Sequence, residues 1–299
     1  MTLKASIKSM RLRTLPLSLS GVILGVTLAA DKTDVSPWTA ALIFLTTVCL
    51  QILTNLSNEL GDTISGTDSA DRQGPQYALG SGEMTIGDIK KLILMFIGLC
   101  VISGLAMIQV SFGSLFKTES ICLEALGAAA IAGAMKYTLG KNPYGYRGLG
   151  DMSVFIFFGL VSVLGGYYVA ARELPPLIML LPASAIGCFS VGVLNVNNIR
   201  DMKTDAVNRV TVAIKLGMKG ARIYQTILIV SGWILMPAFC AIYDSAPGHF
   251  LFLITLPLYI KHLQGVWTRS ERALDPMLPM LVISTFFLSI LAGAGFLIF

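Results

Sequence analysis

The chain has 299 residues, of which 55% are hydrophobic and only 13% charged, and its mean hydropathy is +0.74. A soluble globular chain carries about 25% charged residues, so this composition excludes an ordinary water-soluble domain and points to a lipid bilayer. The formal net charge of +5 fits membrane orientation and an anionic ligand, and gives no argument for nucleic acid.

In chain order, charge-free stretches lie between Arg13 and Asp31, Lys91 and Lys117, Asp151 and Arg172, Glu173 and Arg200, Arg222 and Asp244, and from Asp275 to Phe299. Most reach or approach the roughly 20 apolar residues that cross a bilayer core. Leu15–Ala30 continues into a full-length span without a convincing cleavage site, so it reads as a first helix and not as a signal peptide. Pro37 to Leu56 supplies a second. Weaker runs near Ile121–Tyr137 and Phe250–Ile260 bring the expected number to about nine. The predicted fold is therefore an all-α polytopic membrane protein, a single transmembrane domain over residues 1–299.

Lys and Arg placement orients it. With the N-terminus inside, only Lys32, Lys117 and Arg172 of the 22 cationic residues fall outside. The expectation is a multi-pass protein of the cell (inner) membrane with its N-terminus on the cytoplasmic side. Cys49, Cys100, Cys122, Cys188 and Cys240 show no metal-ligand spacing and read as small core residues. His249 is expected outside, and His262 beyond the eighth span with no polar partner.

The inner loops are longer and more polar than the outer ones, and two of them begin alike. The second span closes on "NLSNELGD" and the sixth on "NNIRD" followed by "MKTD". Asn55, Asn58 and Asp62 stand at i, i+3, i+7, as do Asn198, Asp201 and Asp205. At about 100° per residue each trio forms one polar stripe on a helix, with Asp201 and Asp205 on one side. A single Asp at a helix end is ordinarily a solvated residue, here with Arg200 or Lys203 as its partner. Two matching stripes call for more, because charge near membrane depth is costly and marks function. Facing carboxylates repel unless something cationic lies between them, and Mg²⁺ held by carboxylates together with substrate phosphates meets that need. The expected site is thus a Mg²⁺–diphosphate centre between the second and sixth helices, on the cytoplasmic side.

"NELGDTISGTD" and "NNIRDMKTD" resemble the paired Asp-rich motifs of the UbiA superfamily of intramembrane prenyltransferases, a family with nine helices. Its first motif is written N-D-x-x-D-x-x-x-D and its second D-x-x-x-D. Asn58 and Asp62 match the first; Asp201 and Asp205 match the second. Glu59 replaces the usual Asp, and Gly66 stands where the third Asp would be, with Asp68 two residues on. "DRQGP" (Asp71–Pro75), "PYGYRGLGD" (Pro143–Asp151), "RLRTLPLS" and "NRVTVAIKLG" are similar to the branch that prenylates 1,4-dihydroxy-2-naphthoate in menaquinone biosynthesis. The resemblance spans nearly the whole chain.

What it implies is transfer of a polyprenyl chain from its diphosphate to the naphthoate, with loss of carbon dioxide, giving demethylmenaquinone. Asn58, Asp62, Asn198, Asp201 and Asp205 would hold Mg²⁺, with Asn55 beside them. Arg72, Lys141, Arg147 and Arg209 are candidates for gripping phosphate or carboxylate, although inner-face topology also accounts for cations there. Tyr137, Tyr144 and Tyr146 could face an allylic cation; interfacial anchoring is the plainer reading of tyrosines at such depth. Gly145, Gly148 and Gly150 would let the loop fold closely over the site. The partners implied are a polyprenyl diphosphate, an aromatic acceptor and the bilayer, with no obligatory protein partner. Hydroxybenzoate, homogentisate or haem are alternative acceptors. A cation transporter is the rival of another class, opposed by the lack of charge at most span centres.

Overall fold

The computed structural model describes residues 2–66 and 74–299, so Asp68, Asp71 and Arg72 lie outside the described residues. Nine helices among the described residues are long and apolar enough to span a membrane. They are α1 (Leu3–Ala30), α2 (Pro37–Ile64), α3 (Ile86–Phe112), α4 (Thr118–Lys136), α5 (Gly150–Ala171), α6 (Leu177–Arg200), α7 (Val212–Tyr243), α8 (Pro247–Thr268) and α9 (Glu271–Ile298). The two weaker sequence runs are thus full spans, and the chain is an all-α, multi-pass membrane protein.

Local chemistry sets the helix ends and breaks. Thr2 caps α1 by accepting from the Ala5 amide at 3.2 Å, and α1 is interrupted at Arg11, which is left-handed at φ 50°, ψ 52°. Thr85 and Asp88 form a reciprocal capping box at the start of α3. The Thr211 hydroxyl accepts from the Ile214 amide at the start of α7, and Gly217, at φ 68°, breaks that helix one turn later. The middle of α5, Phe155–Gly165, is π-helical, a form frequent at functional sites.

Helix α6 is the most deeply packed span and α4 the least. α6 lies against α5, α7 and α9, while α1 lies against α2, α5 and α9. The main core carries Phe189, Phe239, Phe252 and Tyr259, and a second apolar cluster joins α2 to α3 through Leu53, Leu56 and Ile89. Lipid tails are as apolar as leucine, so helix pairing in a bilayer relies on close packing at small residues. The α5–α6 contact does this: a Cβ on Gly159 would lie 2.6 Å from Gly187 Cα and 2.7 Å from the Ala183 carbonyl oxygen.

Several residues depart from the expectation or add to it. α2 runs beyond Leu56 through Ile64, which keeps the whole first polar stripe on helix. His262 lies within α8, fully buried, and accepts from Gln225 at 3.0 Å while its Nδ1 lies 3.0 Å from the Met277 carbonyl. His249 is buried, stacked on Phe296 at 3.9 Å. Four cysteines are core residues as read, whereas Cys122 is exposed.

Gly159→Ala should lower the unfolding temperature in detergent by several degrees, since overpacking against backbone costs about 1–3 kcal/mol. Gly98→Ala, with nothing within 4 Å of a Cβ, should leave it unchanged.

Candidate active site

The C-terminal ends of α2 and α6 line one space, with the Tyr137–Gly150 loop and the Arg209 segment beside them. Between them is a polar cavity of about 110 Å³, many times the 10–15 Å³ or so that one water needs on that measure. Asn58, Asp62, Tyr137, Asp151, Asn198 and Arg209 are among its lining residues.

Arg209 organises it. Its Nη2 lies 2.5 Å from Asp62 Oδ1 on α2, and its Nη1 lies 3.9 Å from Asp205 Oδ2. The cation that the facing carboxylates require is, in this structure, a guanidinium. Tyr146 adds a second hold: its hydroxyl donates to Asp62 Oδ1 at 2.7 Å, and the Arg209 guanidinium lies 4.5 Å from its ring centroid. The Val210 amide donates to the Tyr146 carbonyl at 2.9 Å, so the loop and the Arg209 segment are tied by backbone as well. Burial first, then the Asp62 carboxylate, push the Tyr146 phenol up to about 12, keeping it a proton donor. Burial works against the Arg209 charge, but Asp62 and Asp205 outweigh it and raise its pKa.

The second stripe divides. α6 ends at Arg200, Asp201 has turn geometry at φ −94°, ψ 9°, and Met202–Asp205 forms a separate turn. Asn198 lines the cavity and Asp205 faces Arg209. Asp201 does not line the cavity: both its oxygens take Arg200, at 2.9 and 2.6 Å, and Arg200 continues to Asp275 at 2.7 Å and to Asn197 at 2.8 Å. The Arg200 pairing considered for an isolated helix-end Asp is the one seen for Asp201, while Lys203 pairs with Glu271. α6 stops before both residues and a new turn runs from Asp201 to Asp205, the Asp205 amide donating to the Asp201 carbonyl at 2.8 Å; the two carboxylates part because one takes Arg200 and the other faces Arg209.

The remaining expected residues divide in the same way. Asn55 is buried outside the cavity and donates to the Met10 carbonyl at 2.8 Å and to Thr14 at 2.9 Å, fastening the break in α1 to α2. Lys141 and Arg147 are exposed, Arg147 bonding Asn142. Tyr137 lines the cavity and Tyr144 packs on its edge at 5.4 Å, with burial raising both phenols. Gly145 and Gly150 press on Tyr137: added Cβ atoms would lie 2.7 Å from its carbonyl oxygen and 2.8 Å from its hydroxyl. Gly148 takes φ +82°, conformational space that favours glycine.

Both motif departures have a structural sense. Glu59 is fully buried and accepts the Leu79 amide at 2.7 Å, holding the Tyr77–Ser81 turn instead of lining the cavity. Gly66 stands at φ +71°, where an Asp would be strained.

The structure adds lining residues that spacing alone did not single out: Arg11, Tyr77, Thr138 and Asp151. Arg11 lies 3.6 Å from the Tyr77 ring centroid, and Arg13 donates to the Tyr77 hydroxyl at 3.0 Å. The Nε and Nη2 atoms of Arg11 are buried without hydrogen-bond partners. The left-handed break at Arg11 lies inside "RLRTLPLS", where no glycine or proline at the break announces it. No group of three or more His, Cys, Asp or Glu side chains clusters as a metal site among the described residues; the oxygen donors here include asparagines.

Removing one partner of a buried ion pair costs about 3–5 kcal/mol. Arg209→Met should therefore lower the unfolding temperature of the ligand-free protein, and adding Asp62→Asn should recover part of the loss. Strict additivity of the two changes would contradict the pairing.

Residues 18–294 match the UbiA prenyltransferase family. The chain is 37% identical to a 1,4-dihydroxy-2-naphthoate octaprenyltransferase of Escherichia coli (strain K12), covering 93% of this chain and 89% of that protein. It is 33% identical to the protein of the same name from Haemophilus influenzae, covering 96% and 94%. In fold it is similar to a UbiA homolog from Archaeoglobus fulgidus solved bound to DMAPP and Mg²⁺, with TM-score 0.68 at 13% identity over 99% of this chain and all of that one.

Proposed function

The chain belongs to the UbiA prenyltransferase family, and from that premise we propose that it transfers a polyprenyl chain from polyprenyl diphosphate to 1,4-dihydroxy-2-naphthoate. Diphosphate and carbon dioxide leave, and the ring is released as the hydroquinone form of demethylmenaquinone. The observation that carries the reading is the polar cavity at the C-terminal ends of α2 and α6, where Asp62 and Asp205 share a partly buried cation. The relatives' names support the naphthoate acceptor.

The donor set suits a hard divalent ion. Asp62, Asn58 and Asn198 face one cavity, and two carboxylates already hold a positive group between them. These residues and Asp205 would hold Mg²⁺, with Asp201 braced behind them by Arg200; the Mg²⁺-bound relative in fold supports metal use. When bound, Mg²⁺ neutralises the diphosphate as its allylic C–O bond breaks. Arg11, with two unpartnered donors, would take phosphate or carboxylate oxygens, its plane held by the Tyr77 ring. Arg209 would give its second grip to the diphosphate. Tyr137, Tyr144 and Tyr146 present ring faces and polarised edges around an allylic cation, and the Gly145–Gly150 loop packed against Tyr137 keeps water out. The site would open to the cytoplasmic face of the inner membrane, as the Lys and Arg distribution directs.

Purified protein should be given naphthoate or hydroxybenzoate with donors of several lengths and Mg²⁺, and the products read by mass spectrometry. Naphthoate alone should yield a prenylated naphthohydroquinone, recovered as the naphthoquinone after oxidation by air, and release carbon dioxide. Asp62→Asn and Asp205→Asn should each lose about 10²–10³-fold in kcat. Full activity in both variants, or product from hydroxybenzoate alone, would refute the reading.

A further inference from the structure

Two carboxylates line the cavity, and only one of them has a cation. Asp62 takes Arg209 and Tyr146. Asp151, at the start of α5, is 8% exposed and pairs with no Lys, Arg or His among the described residues. The Tyr224 phenol of α7 is a neighbour of its carboxylate, while Oδ2 is buried and makes no hydrogen bond. The adjacent Gly150 backbone lies against the Tyr137 hydroxyl. An unpaired buried carboxylate is costly, and a structural role would satisfy both oxygens. A buried carboxylate that lines the polar cavity with no cation and an unpartnered oxygen has the arrangement of a proton acceptor.

Resting on the function proposed above, we infer that Asp151 is a catalytic residue that takes the proton of the acceptor's hydroxyl group as the new carbon–carbon bond forms. The prenyl C1–O bond breaks and its electron pair leaves with diphosphate. C1 then bonds to the ring carbon that carries the carboxylate. The ring supplies that electron pair as the neighbouring hydroxyl becomes a ketone, its O–H bond breaking and the proton passing to Asp151. Carbon dioxide then departs, its bonding pair returns to the ring, and the oxygen takes the proton back from Asp151. The chain ends as it began, and the products are the prenylated hydroxy ring, carbon dioxide and diphosphate. Asp62, Arg209 and Arg11 serve the diphosphate side, whereas Asp151 serves the acceptor.

The test is steady-state kinetics of the full chain with naphthoate, a polyprenyl diphosphate and Mg²⁺. Asp151→Asn should lower kcat about 10²–10⁴-fold, with the KM for the donor within twofold of wild type. Asp151→Glu should restore part of kcat. The residual rate of Asp151→Asn should climb with pH as the acceptor's own hydroxyl ionises, against the background of Tyr77, Tyr137, Tyr224, Asp62, Arg11 and Arg209, the other ionisable groups in and beside this space. Tyr224→Phe leaves the carboxylate in place and should cost about tenfold in kcat, so it serves if Asp151→Asn does not fold. Unchanged kcat in Asp151→Asn, or donor KM rising in step with the loss, would overturn the inference while wild-type decarboxylation stood. Wild-type turnover without carbon dioxide would instead remove the function on which it rests, and the inference with it.

Discussion

One guanidinium between two carboxylates sets the geometry of the site. Asp62 belongs to α2, Asp205 to the turn after α6, and Arg209 stands between them at 2.5 and 3.9 Å. Without a cation there, the two acids would repel across a medium of low dielectric. With it, two distant stretches of chain close on a single polar space. The Tyr146 loop is drawn in by the same atoms, through its hydroxyl to Asp62 and its ring under Arg209.

The site is layered outward from that pair. Asn55 donates to the Met10 carbonyl, one residue before the left-handed turn that aims Arg11 at the cavity. Glu59 holds the Leu79 amide, which sets Tyr77 beneath Arg11. Arg200 ties Asp201 to Asp275, joining the end of α6 to the start of α9. Polar residues that resemble ligands thus divide into those that face the cavity and those that brace them, and the bracing group is buried at least as deeply.

Much of the fold was legible because the bilayer imposes a length and a polarity on each span, and charge-free stretches record both. The pairing of the two polar stripes was legible too, since Asn58 and Asp62 share a helix face whatever they pack against. The split of the second stripe was not. Asp201 and Asp205 are set apart by their partners, and the Asp201 pairing rests on Arg200, itself tied to Asp275, 75 residues along the chain. The same holds for Arg11 and Asp151: each is ordinary in its local sequence, and only tertiary contact reveals two unpartnered donors in one and an open oxygen in the other. His262 was read beyond its helix because its partners, Gln225 and Met277, lie on other spans.

The most direct measurement is an experimental structure of the protein with Mn²⁺ and an uncleavable thiodiphosphate analogue of the prenyl donor, the metal located by its anomalous signal. The account predicts metal and diphosphate density between Asp62 and Asp205, with Arg209 moved from its place between them onto a phosphate oxygen. Metal bound elsewhere, with Arg209 still joining the two carboxylates, would contradict it.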